Sequence, residues 1–280
     1  MKWHAKIGLG SVQFGLPYGI SNKTGQTSSE EVSEILDLAY HNGIKIIDTA
    51  SAYGTSETVI GSLNHDRFLV VSKFMPSQSV KDIRAQLEKS LSLLKAKSLY
   101  GYLAHRPLDL ITNKIVWEEL QKIKAEKKIQ KIGFSLNSPD EYYQLKSAGI
   151  EPDLVQVPYN YFDTRFKKVL LELKDKGCEI HTRSTFLQGL FFTDITKLSS
   201  FFDDLKPSLK YLQETYKDKL QSTLLNYVLQ QDFIDVVIMG IETAAQLELN
   251  LNSIESAADL DSLEKSYPEE LLMPMNWPKN

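Results

Sequence analysis

Two hydrophobic patterns alternate along this 280-residue chain. Short apolar runs predict buried β-strands, and longer stretches with an apolar residue every three or four positions predict amphipathic helices. The predicted strands cover residues 6–9, 44–48, 68–72, 99–104, 131–134, 154–157, 179–182 and 236–239.

Helix starts can be located between these runs. Ser28 and Glu31 have the spacing of a capping box, in which the serine side chain caps the helix and the glutamate bonds back to the serine. Ser138 and Pro139 mark a second start, with Ser138 as the cap and Pro139 in the first helical position.

Eight strands that alternate with helices predict an α/β protein of the closed (β/α)8 TIM barrel class. A doubly wound open sheet is the alternative. No linker or shift in composition marks a second domain, so we expect residues 1–280 to form one barrel domain. Residues 187–219 and the proline-containing tail, residues 259–280, break the rhythm. Both are candidates to cover a site, with the tail near the barrel mouth.

Composition excludes several classes of protein. There are 36 acidic and 32 basic residues, a balance that argues against a general nucleic-acid binder, although a local basic patch could still bind an anion. The single cysteine, Cys178, allows no intramolecular disulfide, which fits a reducing compartment. The N-terminal residues lack the apolar stretch of a signal peptide, and no run approaches the length of a membrane span. We therefore expect a cytoplasmic protein that binds neither nucleic acid nor membrane.

Several site motifs are missing from the sequence. Gly8 and Gly10 suggest a dinucleotide fingerprint, but position 13 is Gln13 where that motif requires glycine. These glycines, with Gly15, are better explained by tight packing and a loop turn. The histidines form no zinc-binding pair, and no nucleophile elbow is present. We expect no metal site.

Four chemically active residues lie at or just beyond the ends of three consecutive apolar runs: Asp48 and Tyr53, then Lys73, then His105. The carboxyl ends of barrel strands converge on one mouth, so these side chains should meet there. An ammonium favours the phenolate form of a nearby tyrosine. Asp48 would hold Lys73 in place, and His105 could orient a substrate carbonyl by a hydrogen bond. The sequence therefore predicts a proton relay.

These residues resemble those of the aldo-keto reductase family, because Asp48 to Gly54 match its D-T-A-x-x-Y-G signature. Lys73 and His105 complete the family's tetrad. The resemblance implies a TIM barrel and an extended nicotinamide cofactor, NADP(H) or NAD(H). It also implies that Tyr53 acts as general acid while hydride passes to the carbonyl carbon of a small-molecule aldehyde or ketone.

The same resemblance implies contacts with the cofactor. Ser135, Asn137 and Gln156 would hold the carboxamide. The usual family form has the serine and asparagine adjacent, which this sequence does not. Ser184 would approach the pyrophosphate. The segment that contains Gln246 and Asn250 would surround the adenosine.

Two positions depart from the family pattern. Arg183 stands after the seventh predicted strand, where the family often has an aromatic residue that stacks on the nicotinamide. Its guanidinium could stack on the ring, bind an anionic group of cofactor or substrate, or pair with a loop carboxylate. The stretch from Gly240 to Asn250 contains Glu242 and no lysine or arginine that would neutralise a 2′-phosphate. We expect discrimination against NADH to be weakened or reversed.

The sequence does not identify the substrate or the oligomeric state. The aromatic candidates to line the substrate pocket are Tyr18, Phe162, Phe191, Phe192 and Trp277. Two other functions are consistent with the same residues: a catalytically silent regulatory or scaffold subunit, and a lyase or hydratase that uses the Tyr–Lys pair. The oligomeric state is not predicted.

Overall fold

A closed barrel of eight parallel strands forms the centre of the computed structural model, which describes residues 3–19, 22, 25–64, 66–261, 263 and 265–278. Each strand pairs with the next in chain order, and the first pairs with the last. The predicted (β/α)8 barrel is confirmed and the open sheet is excluded. The strands are β1 (Ile7–Gly10), β2 (Ile46–Asp48), β3 (Leu69–Phe74), β4 (Leu99–Ala104), β5 (Ile129–Ser135), β6 (Leu154–Pro158), β7 (Glu179–Arg183) and β8 (Val236–Gly240).

Helices surround the barrel and fill the longer connections. The α-helices are α1 (Val12–Gly15), α2 (Ser29–His41), α3 (Ser56–Leu63), α4 (Val80–Leu94), α5 (Asp109–Thr112), α6 (Lys114–Ala125), α7 (Pro139–Ser147), α8 (Lys167–Asp175), α9 (Lys206–Tyr216), α10 (Leu220–Leu229), α11 (Ala244–Ser253) and α12 (Glu269–Leu272). Short 3-10 segments lie at His4–Lys6, Leu187–Phe192, Ile195–Lys197, Ser200–Phe202, Lys217–Lys219, Ile254–Ser256 and Pro274–Asn276. In the part of the chain that the structure describes, no helix combines the length and apolar character needed to cross a bilayer.

At the N-terminus of α2, one half of the predicted capping box is present and the other is not. The Ser28 side chain accepts a hydrogen bond from the backbone N–H of Glu31 at 3.2 Å, as predicted. The Glu31 carboxylate, however, accepts from the backbone N–H of Ala244 at 2.6 Å instead of bonding back to Ser28. A carboxylate is stabilised by the free N–H groups that begin a helix, and α11 offers them. Glu31 therefore links α2 to α11.

Strands β3 and β7 run further toward the barrel mouth than the apolar pattern indicated. Lys73 is paired with Leu103, and Arg183 with Pro158, inside the parallel ladder. Pairing with a neighbouring strand continues the backbone hydrogen bonds past the last apolar residue. Both cationic side chains therefore project from a rigid strand instead of a loop.

The barrel interior is layered. Asp48 of β2 contacts Gln156 of β6, which is not a neighbouring strand, so both side chains point inward. Side chains alternate along a strand, so the residues two positions earlier also point inward. These include Ile46 and Leu154, which belong to one apolar cluster beneath the polar layer. The other members of that cluster are Val71, Leu103, Val236 and Ile238.

Glu179, the first residue of β7, belongs to a polar network. Its carboxylate accepts hydrogen bonds from the Tyr100 hydroxyl at 2.7 Å, from His181 Nε2 at 2.6 Å and from the Lys131 ammonium. Burial alone raises the pKa of this carboxyl, but the donors from His181, Lys131 and Tyr100 outweigh it and hold the pKa at about 2. The charged form of Glu179 therefore stabilises the folded barrel.

We predict that Glu179→Gln is less stable than the parent protein at pH 7, by up to about 3 kcal/mol. Because the folded-state pKa lies below the ordinary value of 4.5, the difference is complete above that pH and shrinks as the pH falls toward 2. Urea unfolding at several pH values measures it.

Glu151→Gln is the matched control, because the Glu151 carboxylate pairs with Lys176 at the surface and is 58% exposed. Such a pair contributes about 1 kcal/mol or less. Equal losses in the two variants would contradict the role given to Glu179.

Candidate active site

A buried ion pair joins the ends of β2 and β3. The Lys73 ammonium donates to both Asp48 carboxylate oxygens at 2.7 and 2.6 Å, and to the Thr49 carbonyl at 3.0 Å. The Lys73 side chain is completely buried. Gln156 Nε2 donates to the same carboxylate at 2.7 Å. The predicted pairing of Asp48 with Lys73 is therefore present in the structure.

Tyr53 lies beside this pair in the loop after β2. The Lys73 ammonium is 5.2 Å from the centre of the Tyr53 ring, a cation–π distance. The His105 ring meets the Tyr53 ring edge to face, with their centres 6.0 Å apart. All four members of the predicted relay thus come together at the carboxyl ends of three adjacent strands.

The Tyr53 loop is positioned by close backbone contact with α1. A Cβ on Gly15 would lie 1.9 Å from the Tyr53 carbonyl oxygen, and a Cβ on Gly54 would lie 2.4 Å from the Gly15 carbonyl oxygen. Gly54 also has a φ of 57°, which favours glycine. The Ser56 hydroxyl is bonded to Ser11. A side chain at either glycine would therefore force this backbone contact, and with it the Tyr53 loop, to shift.

His105 is held in its neutral form. Burial is the largest cause of its lowered pKa, and the nearby Lys73 ammonium lowers the pKa further, whereas the Asp48 carboxylate raises it. The charges of Arg183 and Arg106 add to the lowering, and the pKa falls to about 4. Nδ1 of this ring is buried and has no hydrogen-bond partner among the described residues. A neutral imidazole has one N–H to donate and one nitrogen to accept.

A cavity of about 1270 Å³ opens above these residues. Asp48, Tyr53 and His105 line it, while Lys73 lies beneath Asp48. The predicted cofactor-binding residues that line it are Ser135, Asn137, Gln156, Arg183, Ser184, Gly240, Glu242 and Gln246.

Asn250 is the predicted cofactor residue that does not line the cavity. Its side chain is buried in α11 and its Oδ1 accepts a hydrogen bond from Gln221, whose own side chain lines the cavity. Sequence reasoning did not identify Gln221, because nothing in the α10 pattern distinguishes it from other polar helix residues.

Arg183 is fixed from one side only. Its Nη2 donates to the Leu136 carbonyl at 3.1 Å and to Asn137 Oδ1 at 2.8 Å. The Asn137 backbone N–H in turn donates to the Glu141 carboxylate at 2.6 Å. No described carboxylate lies within ion-pair distance of Arg183, so the alternative of a salt bridge to a loop acid is not realised there.

The loop after β7 is strained. Ser184, Leu187 and Gln188 have φ values of 64°, 46° and 51°, a region that non-glycine residues rarely adopt. Gln188 Nε2 donates to the Tyr18 hydroxyl at 2.7 Å, which joins this loop to the one after α1 across the cavity. Such strain is often found at functional sites. The sequence carried no signal for it, since none of the three residue types marks a left-handed position.

The aromatic candidates divide into two groups. Tyr18 and Phe192 line the cavity. Phe162, Phe191 and Trp277 are instead buried in a separate apolar cluster that joins the 187–224 region to the tail. The tail reaches the cavity through Met275.

The adenosine end predicted from the sequence carries negative charge. Glu242 is half-buried, and burial raises its pKa. Its backbone N–H donates to Gln246 Oε1 at 2.8 Å. The first N–H groups of α11 are also satisfied within the chain, by Glu31 at Ala244 and by the Thr243 hydroxyl at Gln246. The sequence did not indicate that Glu31 would lie here.

Metal ligands are not grouped in the described part of the chain, where no three His, Cys, Asp or Glu side chains could hold an ion. One of the histidines, His65, lies outside the described residues.

Comparison with known proteins identifies the family of this chain. Residues 6–266 match the model of the Aldo/keto reductase family. The chain is 26% identical over 282 residues to aldo-keto reductase YhdN of Bacillus subtilis (strain 168), covering 87% of this chain and 83% of that protein. It is 29% identical over 171 residues to glyoxal reductase of the same organism, covering 58% of this chain and 60% of the reductase. That match spans less than two thirds of the reductase.

A solved structure shares the fold. The holo form of aldo-keto reductase AKR11C1 from Bacillus halodurans superposes with a TM-score of 0.74 and 20% identity, covering 95% of each chain. Taken with the family match, the chain belongs to the aldo/keto reductase family, a family of oxidoreductases. The resemblance seen in the sequence is confirmed.

We predict that His105 stays neutral at pH 7 and takes up a proton only as the pH falls toward about 4, because burial and Lys73 disfavour the imidazolium. An ordinary histidine titrates near ~6.5. Imidazole nitrogen shifts followed by NMR from about pH 8 to about 4 measure this, and His105→Asn identifies the signal. A midpoint near the ordinary value would contradict the assignment.

Proposed function

We propose that this protein reduces an aldehyde or ketone to an alcohol, with Tyr53 as general acid and hydride from NADH or NADPH. The observation that carries the proposal is the placement of the Lys73 ammonium, fully buried and paired with Asp48, beside the Tyr53 ring. A cation in that position stabilises the phenolate that remains once Tyr53 has given its proton.

The residues of the cavity fit a nicotinamide cofactor. The cavity has a volume of about 1270 Å³, which exceeds the ~300–1,000 Å³ of an ordinary ligand pocket. The hydroxyl of Ser135 and Oε1 of Gln156 have no partner among the described residues, although both side chains are nearly buried. A hydroxyl and an amide oxygen suit the donor and acceptor atoms of a carboxamide, and Asn137 lines the same wall.

The bound cofactor would supply the hydride, and the chain supplies the rest. His105, neutral at pH 7, can donate a hydrogen bond that orients the carbonyl oxygen toward Tyr53. As the carbonyl carbon accepts the hydride, its oxygen becomes an alkoxide and takes the Tyr53 proton. Lys73 stabilises the resulting phenolate, and Asp48 with Gln156 keeps Lys73 in place.

We also propose that NADH is accepted at least as well as NADPH. Glu242 and Glu31 bring two carboxylates to the predicted adenosine end, and Glu31 already occupies the first N–H of α11. A 2′-phosphate placed there would meet repulsion without a lysine or arginine from residues 240–250. The ribose hydroxyl of NADH could instead donate to the Glu242 carboxylate.

The two rival functions predict different behaviour. A scaffold subunit need not bind a nicotinamide cofactor, so the absence of nicotinamide fluorescence changes would favour it. A lyase or hydratase would turn over its substrate with no nicotinamide present. A panel of aldehydes and ketones, run with NADH and NADPH in parallel, addresses both. Glyoxal belongs in that panel because of the partial match to glyoxal reductase.

We predict that Tyr53→Phe lowers kcat for carbonyl reduction by about 10²–10⁴-fold, because it removes the proton donor. Cofactor binding, followed by nicotinamide fluorescence, should be nearly unchanged. Tyr18→Phe is the matched control, since Tyr18 lines the same cavity without contacting Lys73, and should lose far less. Wild-type turnover in Tyr53→Phe would refute Tyr53 as the acid.

We predict a dissociation constant for NADH equal to or below that for NADPH, measured by fluorescence titration. Glu242→Gln should move the ratio toward NADPH by about 3- to 10-fold, because it removes a repelling charge. Glu248→Gln, which changes an exposed residue of the adjoining helix α11, is the control. A dissociation constant for NADPH clearly below that for NADH in the parent protein would overturn the proposal.

A further inference from the structure

Arg183 presents unused hydrogen-bond donors to the cavity. Only its Nη2 has partners among the described residues, at Leu136 and Asn137. A guanidinium has five N–H donors, so three remain on Nε and Nη1. The two bonds that are made fix the plane of the group before any ligand arrives, which lowers the ordering cost of binding.

The positive charge here is not neutralised nearby. Arg106 lines the same cavity, and neither arginine makes an ion pair with a described carboxylate. Both charges also reach His105, whose pKa they help to lower. A cavity with two unpaired guanidinium groups around a neutral imidazole attracts an anion.

The cavity carboxylates do not supply that anion. Asp48 is neutralised by Lys73, and Glu141 is engaged by the backbone N–H groups of Asn137 and Ser138 at the start of α7. Asp109 and Glu242 also line the cavity, but neither makes an ion pair with Arg183. Arg183 therefore has donors free to bind an anionic ligand.

We propose that Arg183 binds a carboxylate carried by the carbonyl substrate, so that the enzyme prefers aldehydes and ketones with an anionic group. This inference rests on the carbonyl reduction proposed above. A planar guanidinium matches a planar carboxylate better than a single ammonium does. Phe186, Phe192 and Met275 give the same cavity an apolar wall, which suits a substrate with a hydrophobic body between its two polar ends.

The test compares 4-carboxybenzaldehyde with its neutral isostere, 4-carbamoylbenzaldehyde. We expect the parent enzyme to reduce the carboxylate with a kcat/KM about ten-fold higher or more, mainly through KM. The amide withdraws electrons from the ring more strongly, so intrinsic reactivity works against this preference. Arg183→Met should bring the ratio close to one, and Arg183→Lys should retain part of it.

Two control variants separate local binding from general charge. Lys89→Met removes a positive charge from an exposed position of α4 and should leave the ratio unchanged. Arg106→Met should lower the ratio less than Arg183→Met, because Arg106 is exposed and nothing described holds its guanidinium. If Arg106→Met abolishes the preference and Arg183→Met does not, the assignment to Arg183 is wrong.

A binding measurement keeps the test independent of turnover. Calorimetry with 4-(hydroxymethyl)benzoate and 4-(hydroxymethyl)benzamide should show about ten-fold tighter binding of the acid, lost in Arg183→Met. Equal affinities in the parent protein would overturn the inference even if reduction is observed. Failure to reduce either aldehyde, with the acid still bound selectively, would overturn only the proposed reaction.

A last measurement tests whether the anion that Arg183 binds belongs to the cofactor instead of the substrate. Dissociation constants of NADH and NADPH are measured for the parent protein and Arg183→Met. If the variant weakens cofactor binding and loses both aldehydes equally, Arg183 serves the cofactor and the inference fails. A selective loss of the carboxylate ligands supports it.

Discussion

The buried ion pair of Asp48 and Lys73 is the interaction on which the site depends. Two charges removed from water lose a large hydration energy, and their attraction offsets that loss only when the remaining hydrogen bonds are also made. Gln156 and the Thr49 carbonyl make those bonds here. Losing one partner of such a pair costs about 3–5 kcal/mol, so ammonium and carboxylate form one unit with the barrel strands that carry them.

This unit sets the electrostatics of the whole cavity. The Lys73 charge helps to keep His105 neutral, and Arg183 and Arg106 act in the same direction. Positive charge at the mouth favours the negative oxygen that develops when a carbonyl is reduced. Glu242 and Glu31 give the predicted adenosine end the opposite sign. The site of the proposed reaction and the predicted adenosine end therefore differ in charge.

Much of the site could be predicted from the sequence because its residues follow strands. A parallel barrel brings the carboxyl ends of its strands together, so Asp48, Lys73 and His105 had to converge once the fold was assigned. Gly15 was correctly expected to allow tight packing, and the structure shows that the packing is against the Tyr53 loop. The strained loop after β7 and the placement of Gln221 were missed, since both result from contacts between distant segments.

The sequence by itself determined the barrel and which side chains meet at its mouth, because hydrophobic periodicity and strand-end residues are local properties of the chain. Tertiary structure decided how those groups are paired. Glu31 accepts a hydrogen bond from α11 and makes none to Ser28. Gln156 donates to Asp48, and Arg183 donates to Asn137 while its Nε and Nη1 donors have no described partner. A side chain can form hydrogen bonds only with groups that the folded chain places within about 3 Å of it. No local pattern contains that information.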